Sequence, residues 1–228
     1  MSEYSFLDTT ALDNALAERI CIQLSAAIEA RGQATLVLSG GSTPKGLFAQ
    51  LSCASLAWEQ VTILLADERW VASTHIDSNE RLVRETLLTR SAASASFLSL
   101  VAHYPDSDIN LVAANTALAK LGKFDVVLLG MGTDGHTASL FPCAAELNDG
   151  LTTTTDALMV TPTTAPHQRV SLSKQRLSNT AMGIVHIVGE DKREVLTAAR
   201  ASGDKQHYPI LNFVAETSEF DVWWAPKD

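Results

Sequence analysis

Short apolar runs recur along the chain and predict the strands of a parallel sheet. They are apolar at odd and even positions alike, instead of alternating with polar residues, as expected for strands that are covered on both faces. The predicted strands are ATLVLS (34–39), VTILLAD (61–67), KFDVVLLG (123–130), MGIVHIVG (182–189) and FDVWWA (220–225).

Segments with apolar residues at helical spacing lie between these runs. The first covers residues 8–32 and closes with Arg31 and Gly32, a basic residue and a glycine that are typical of helix ends. The other predicted helices are PKGLFAQLS (44–52), SNERLVRETLL (78–88) with Asp77 or Ser78 as its cap, NLVAANTALAKLG (110–122), TASLF (137–141) and EDKREVLTAARAS (190–202). The segments LTTTTDALMV (151–160) and PTTAPHQRV (162–170) predict an excursion of loops within the same domain.

The alternation of strands and helices over the whole length predicts the fold class. It favours an α/β fold with a doubly wound, mostly parallel sheet and helices on both faces, a Rossmann-like three-layer sandwich. A chain of 228 residues is long for one domain and short for two, so we expect a single domain over residues 1–228.

Composition and charge narrow the class of protein. The chain is 46% hydrophobic and carries a formal net charge of −9 without any run of Lys or Arg, which argues against nucleic acid as a partner. No apolar run reaches the roughly 18 residues of a membrane span, and the N-terminus lacks the basic and apolar order of a secretion signal. The three cysteines have no metal-type spacing and are interpreted as structural thiols of a cytoplasmic protein. The acidic stretches show no spacing typical of a metal site.

Ligands of doubly wound sheets bind where the carboxyl ends of strands feed into loops, and four such loops carry candidate chemistry. The first is SGGSTPKG, after the first predicted strand. Gly40 and Gly41 let the backbone approach a ligand closely or adopt positive φ. Ser42 or Thr43 can cap a helix that starts at Pro44, whose free amides would bind an anion. The same residues would also suit an ordinary strand-to-helix turn.

The second and third loops offer polar groups for catalysis. In ADERWV, Asp67 can accept hydrogen bonds from sugar hydroxyls and Arg69 can stabilise an oxyanion, although a solvated, salt-bridged turn would look the same. In LLGMGTDGHTASLFP, Asp134 and His136 flank a glycine. Histidine exchanges a proton readily near neutral pH, and a neighbouring carboxylate can fix its tautomer. This loop is the strongest candidate for the catalytic centre.

The fourth constellation combines HQRVSLS with VGEDKREVL and contributes Arg169 and Lys192. Lys192 lies in the first turn of a predicted helix, where its charge opposes the helix dipole. That conflict is resolved if an anion binds beside it, whereas a partly solvated lysine is the alternative. The histidines at 75, 103 and 207 are interpreted as loop residues, and His186 as a core residue with its hydrogen bonds satisfied.

Taken together, these motifs resemble the 6-phosphogluconolactonase family, within a broader group that includes glucosamine-6-phosphate deaminase. The matching segments, in family order, are LSGGSTP (38–44), DERWV (67–71), SNERLVRETLL (78–88), LLGMGTDGHTASLFP (128–142), RVSLS (169–173) and VGEDKREVL (188–196). The resemblance covers residues 34–200, and the segment GMGTDGHTASLFP is its most specific part. The C-terminal FDVWWAPKD departs from the family, which leaves the packing of that segment open.

The resemblance implies a cytoplasmic enzyme of the oxidative pentose phosphate pathway that needs no metal or organic cofactor. Such an enzyme hydrolyses 6-phospho-D-glucono-1,5-lactone to 6-phospho-D-gluconate. Carried onto this sequence, His136 is the general base, Asp134 its neighbour, and Asp67 and Arg69 are polar residues of the site. The phosphate would lie against residues 40–43 with help from Arg169 and Lys192. The oxyanion donor is either Arg69 or a backbone amide, and the oligomeric state is not predicted.

Two alternative functions remain at this point. A glucosamine-6-phosphate deaminase, as the resemblance has it, carries a glutamate just before the proline and an aromatic residue after the DE pair, where this chain has Phe141 and Arg69. Both departures favour the lactonase. A non-catalytic sugar-phosphate-binding regulator would carry a DNA-binding segment, for which this chain has no residues to spare.

Overall fold

Ten strands in two sheets are found in the computed structural model, which describes residues 2–214 and 220–227. The strands are β1 (Glu3–Ser5), β2 (Ala34–Leu38), β3 (Val61–Leu65), β4 (Asp67–Arg69), β5 (Ser96–Leu98), β6 (Phe124–Leu129), β7 (Ala157–Val160), β8 (Arg169–Leu172), β9 (Thr180–Val188) and β10 (Phe220–Ala225). The helices are α1 (Thr9–Arg31), α2 (Lys45–Cys53), α3 (Asn79–Thr86), α4 (Ser107–Leu118), α5 (Leu147–Thr152), α6 (Lys174–Ser178) and α7 (Glu190–Ser202).

The larger sheet has seven strands in the order β1-β10-β9-β6-β2-β3-β5, and every pairing in it is parallel. All six residues of β6 are buried, as the non-alternating apolar pattern predicts for a strand covered on both faces. The predicted α/β fold with a parallel sheet is therefore confirmed. The main cluster of buried apolar side chains extends from Leu12 on α1 to Ala225 on β10.

The chain changes direction across the sheet between β2 and β6. From β2 it proceeds through β3 to β5 on one side, and from β6 through β9 to β10 on the other. The carboxyl ends of the two central strands are joined directly, since Ser39 N donates to Leu128 O at 2.9 Å and Gly130 N donates to Ser39 Oγ at 3.2 Å. A crevice at such a switch point is where open α/β sheets bind their ligands.

The second sheet, β4-β8-β7, is antiparallel and corrects part of the prediction. Two segments expected as loops, ADERWV and LTTTTDALMV, contribute β4 and β7 to it. The sequence DER of β4 has no strand propensity. It adopts extended structure because it pairs with β8, about a hundred residues away in the chain.

Two predicted helix features are wrong. The segment TASLF forms a turn closed by a bridge between Thr137 and Leu140, and no helix starts before Leu147 in this region. Helix α2 is capped by Pro44 without any side-chain hydrogen bond, so neither Ser42 nor Thr43 caps it. By contrast, Ser78 caps α3 by accepting from Arg81 N, one of the two expected alternatives.

The C-terminal segment completes the sheet. β10 lies between β1 and β9, and Trp224 Nε1 donates to Gly189 O at 2.9 Å. Among the residues described, no helix combines the length and the hydropathy that a membrane span needs.

Candidate active site

A cleft of about 270 Å³ opens at the switch point, beside the carboxyl ends of β2 and β6. The predicted site residues line it with one exception, Asp134. Those that line it are Gly40, Gly41, Ser42, Thr43, Asp67, Arg69, His136, Arg169 and Lys192. Residues that are far apart in the chain thus meet in one cleft, beside the carboxyl ends of the parallel strands, with Asp67, Arg69 and Arg169 contributed by β4 and β8.

The imidazole of His136 is held on three sides. Its Nδ1 lies 2.5 Å from Asp134 Oδ1, and its ring stacks on Phe141 with ring centroids 4.0 Å apart. A Cβ at Gly132 would lie 2.2 Å from the ring, so only glycine fits there. Because the Asp134 carboxylate accepts from Nδ1–H, the lone pair is left on Nε2. His136 therefore presents a basic nitrogen in a fixed orientation.

Asp134 lies behind His136 instead of lining the cleft. Burial by itself raises the pKa of the Asp134 carboxyl, but the hydrogen bond and the charge of His136 outweigh it and hold that pKa below its usual value. The carboxylate also accepts from His136 N at 3.2 Å. Asp134 is thus placed to orient the imidazole and not to touch a ligand.

The glycine loop after β2 is shaped by close packing and by the open end of α2. A Cβ at Gly40 would lie 2.1 Å from Asn79 Oδ1, and Gly41 has φ +93°, a conformation that favours glycine. Ser42 and Thr43 are exposed, and neither makes a capping bond to α2. Free amides at a helix N-terminus together with two unengaged hydroxyls suit an anionic ligand.

Two guanidinium groups meet where β4 pairs with β8, since Arg69 and Arg169 are register partners. The Nε atoms of both are buried and have no hydrogen-bond partner among the described residues. Burial lowers the pKa of Arg169, and the charge of Arg69 lowers it further, while Asp67, whose Oδ2 lies 3.9 Å from Arg169 Nη1, raises it. Two adjacent cations with unsatisfied donors attract an anionic or oxygen-rich ligand.

Glu68 on β4 holds the N-terminus of α3 against this part of the site. Its buried carboxylate accepts from Asn79 N at 2.8 Å, Glu80 N at 2.6 Å and Ser78 Oγ at 3.0 Å. Burial raises the pKa of Glu68, and these donors partly offset that rise. The carboxylate thereby satisfies the free amides of α3 and positions Asn79, whose Nδ2 donates to Asp67 O at 3.1 Å.

Lys192 extends from the first turn of α7 towards the same cleft, where its Nζ donates to Met131 O. Burial lowers the pKa of Lys192, while Asp191 and Asp134 raise it. The unfavourable position of the lysine at a helix N-terminus is therefore partly compensated by protein groups, and an anionic ligand is not required to explain it.

His186 departs from its interpretation as a satisfied core residue. It is only 2% exposed, yet it lines the cleft and its Nε2 has no hydrogen-bond partner among the described residues. Asp13 Oδ1 is 3.8 Å away, beyond hydrogen-bond distance, and burial lowers the pKa of His186 from 6.5 to about 4.

Because His186 is buried, we expect the free energy of unfolding to fall when the pH is lowered. Between pH 6.5 and pH 4 the unfolded chain binds a proton at His186 that the native state excludes, so the free energy of unfolding falls as the pH falls. We expect a contribution of about 2 kcal/mol between pH 7 and pH 5. Urea unfolding of wild type and His186→Gln at both pH values measures it, with His103→Gln as an exposed control. Equal pH dependence in wild type and His186→Gln would contradict the assignment.

Three residues of the site were not singled out from the sequence. Asn79 and Ser139 contact Asp67, the latter by donating to Asp67 Oδ2 at 2.5 Å, and Phe141 was noted only as a departure from the deaminase pattern. Asn79 directly follows the cap of α3 and belongs to the segment SNERLVRETLL, which matches the family. Its place in that segment could have identified it as a candidate site residue. Ser139 was hidden by the wrong assignment of TASLF as a helix.

Comparison with known proteins gives consistent matches over nearly the whole chain. The family described as glucosamine-6-phosphate isomerases/6-phosphogluconolactonase matches residues 7–224. The 6-phosphogluconolactonase of Rhizobium meliloti is 41% identical over 225 residues, which is 97% of each sequence. That of Pseudomonas putida is 39% identical over 225 residues, covering 98% of this chain and 92% of the relative.

The structural comparison agrees with the sequence matches. A crystal structure of a 6-phosphogluconolactonase from Shewanella baltica superposes with a TM-score of 0.95 and 44% sequence identity. The superposition covers 99% of this chain and 97% of the other.

Proposed function

Since the chain belongs to the glucosamine-6-phosphate isomerase/6-phosphogluconolactonase family, we propose that it hydrolyses 6-phospho-D-glucono-1,5-lactone to 6-phospho-D-gluconate. The observation that carries this proposal is the His136 imidazole, held by Asp134 at 2.5 Å in a cleft that Arg69 and Arg169 also line. The names of the relatives at about 40% identity support the same reaction. The proposal places it in the cytoplasm, as a step of the oxidative pentose phosphate pathway.

The first step is attack of water on the lactone carbonyl. His136 Nε2 takes a proton from the attacking water, and the imidazolium that forms is stabilised by Asp134. The imidazolium then gives its proton to the ring oxygen as the C–O bond breaks, which forms the hydroxyl group and regenerates His136. The carboxylic acid formed at the same time loses its proton to water, so the product is the carboxylate.

The second requirement is a donor for the oxyanion of the tetrahedral intermediate. Arg69 lines the same cleft as His136, and this supports Arg69 in this role in preference to a backbone amide. Arg69 is held in place by donating from Nη1 to Asp77 O at 2.5 Å. A pre-organised donor of this kind costs little reorganisation when charge develops.

The substrate phosphate is assigned to the open end of α2. The loop of Gly40, Gly41, Ser42 and Thr43 offers backbone amides and hydroxyls, and Arg169 and Lys192, two of the cations that line the same cleft, would assist it. Binding the phosphate, remote from the ring, holds the carbonyl over His136.

The lactonase and its alternatives are separated by one set of assays. Purified protein is given freshly prepared 6-phosphogluconolactone at neutral pH, and acid release above the spontaneous rate is measured. In parallel, ammonium release from glucosamine-6-phosphate is measured, as is binding of both sugar phosphates. We expect acid release and no ammonium. Acid release no faster than buffer would contradict the proposal, and binding without turnover would favour a regulator.

Loss of the stacking of Phe141 on His136 is expected to lower kcat. Phe141→Leu leaves the imidazole free on one face, so we expect kcat to fall about tenfold with KM nearly unchanged, within the usual range for loss of general-base alignment. The matched control is Phe97→Leu, a phenylalanine on β5 that does not line the cleft. Thermal unfolding of both variants reports their stability. A fall in stability without a fall in kcat would assign Phe141 to packing alone.

A further inference from the structure

A second cluster of chemically active side chains lies outside the cleft. One potential ligand atom from each of His75, Asp77 and His167 lies within 4.8 Å of those of the other two. Asp77 Oδ2 is 2.9 Å from His167 Nε2 and 3.8 Å from His75 Nδ1. None of the three residues lines the cleft. The proposed hydrolysis does not use them.

The three ligand atoms have the spacing of a metal site. Zinc bonds to nitrogen and oxygen ligands are about 2.0–2.2 Å long, so the ligand atoms of a tetrahedral site lie about 3.3 Å apart. The two nitrogen–oxygen distances in the cluster, 2.9 and 3.8 Å, lie on either side of that value. The separation of the two histidine ligand atoms is at most 4.8 Å, so side-chain rotations that shorten it would bring all three atoms onto one ion.

The hydrogen bonds show which nitrogens carry a lone pair and which a proton. Asp77 N donates to the single lone pair of His75 Nδ1 at 3.1 Å, so a cation bound to this nitrogen replaces that hydrogen bond. His167 Nε2 shares a proton with the Asp77 carboxylate, at the position that a metal would take. Binding of a cation there displaces one proton, as is usual for histidine ligands.

The backbone brings the two histidines together from distant parts of the chain. His75 and Asp77 precede α3, whereas His167 precedes β8 and has φ +68°, a conformation that is rare for residues other than glycine. Trp70 N donates to Gln168 O at 2.8 Å and ties the two segments together. The side chains are 27–47% exposed, which leaves room for water as a fourth ligand.

We propose that His75, Asp77 and His167 form a binding site for a divalent transition-metal ion of the zinc class. Two imidazoles and one carboxylate suit Zn²⁺, Co²⁺ and Ni²⁺ better than Mg²⁺ or Ca²⁺, which prefer all-oxygen ligand sets. The site uses the side chain of Asp77, whereas the proposed hydrolysis uses only its backbone carbonyl, which holds Arg69. Zn²⁺ binding and lactone hydrolysis are therefore tested by separate measurements.

The test is calorimetric titration of tag-free, chelator-treated protein with ZnCl₂ and, separately, MgCl₂. We expect one Zn²⁺ per chain and no binding of Mg²⁺. His167→Gln and Asp77→Asn should each weaken Zn²⁺ binding at least about tenfold, since each removes one of three ligands. The control His103→Gln, an exposed histidine outside the cluster, should bind like wild type.

Cobalt distinguishes this cluster from the cysteines. Co²⁺ bound to nitrogen and oxygen ligands gives visible absorption without the intense near-ultraviolet band of thiolate ligation. We expect the visible bands in wild type and their loss in His75→Gln. The absence of Zn²⁺ binding, binding that is unchanged in His75→Gln and His167→Gln, or a thiolate band would each overturn the proposal.

Discussion

Replacing His136 with glutamine is expected to lower kcat for lactone hydrolysis by about 10²- to 10⁴-fold, with little change in KM. Glutamine cannot accept the proton of the attacking water, whereas the shape of the cleft and its cations are retained. The Nδ1 of His136 is engaged by Asp134 at 2.5 Å, so the loss is that of a single oriented nitrogen, Nε2. Initial rates over a range of lactone concentrations measure it, after subtraction of spontaneous hydrolysis.

The matched control is His103→Gln, which alters an exposed histidine that does not line the cleft and should retain wild-type kinetics. A glutamine variant at position 136 that turns over as fast as wild type would remove His136 from the role of base. A variant with raised KM and normal kcat would assign His136 to substrate binding instead.

Replacing Lys192 with alanine is expected to raise KM for the phosphorylated lactone by about 10- to 100-fold, the range for a charge-assisted contact of about 1.5–3 kcal/mol. Lys192 lines the cleft near the glycine loop, and an ammonium group there attracts the phosphate dianion. Because the contact is remote from the reacting carbon, kcat should change much less than KM.

Unphosphorylated glucono-1,5-lactone provides the control for this prediction. Lys192 also donates to Met131 O, so its loss could alter the cleft without any phosphate contact. If the contact is with phosphate, Lys192→Ala impairs the phosphorylated lactone alone, and the exposed Lys205→Ala impairs neither. Equal losses for both lactones would show that Lys192 acts through the shape of the site.

The residues of the cleft could be predicted because their signals are local. A glycine pair after an apolar run indicates a strand-end loop that can bind a ligand, and so does an Asp-Gly-His segment at a strand end. Both patterns therefore predict the chemistry of the residues and their place at the carboxyl edge of a parallel sheet. Gly40, Arg69 and His136 are predicted from such signals as site residues, and the structure brings all three into one cleft. The parallel sheet itself is predicted because non-alternating apolar strands are typical of it.

What could not be predicted depends on contacts between distant segments. The pairing of Arg69 with Arg169 follows from the register of two short strands, one of them composed of charged residues. The approach of His167 to Asp77 is equally non-local.

The prediction of a helix for TASLF is wrong for a similar reason. Thr137 Oγ1 donates to Gly130 O at 2.7 Å and Ser139 Oγ donates to Asp67 Oδ2, so tertiary hydrogen bonds replace those of a helix.

Chemical rescue of His136→Ala is a direct test of general-base catalysis by His136. In this variant the space between Gly132 and Phe141 is vacated, and imidazoles of graded basicity can be added to the assay. If His136 is the base, the rescued rate rises with the basicity of the added imidazole, as a proton transfer in the transition state requires. A rescued rate that is independent of basicity would contradict it.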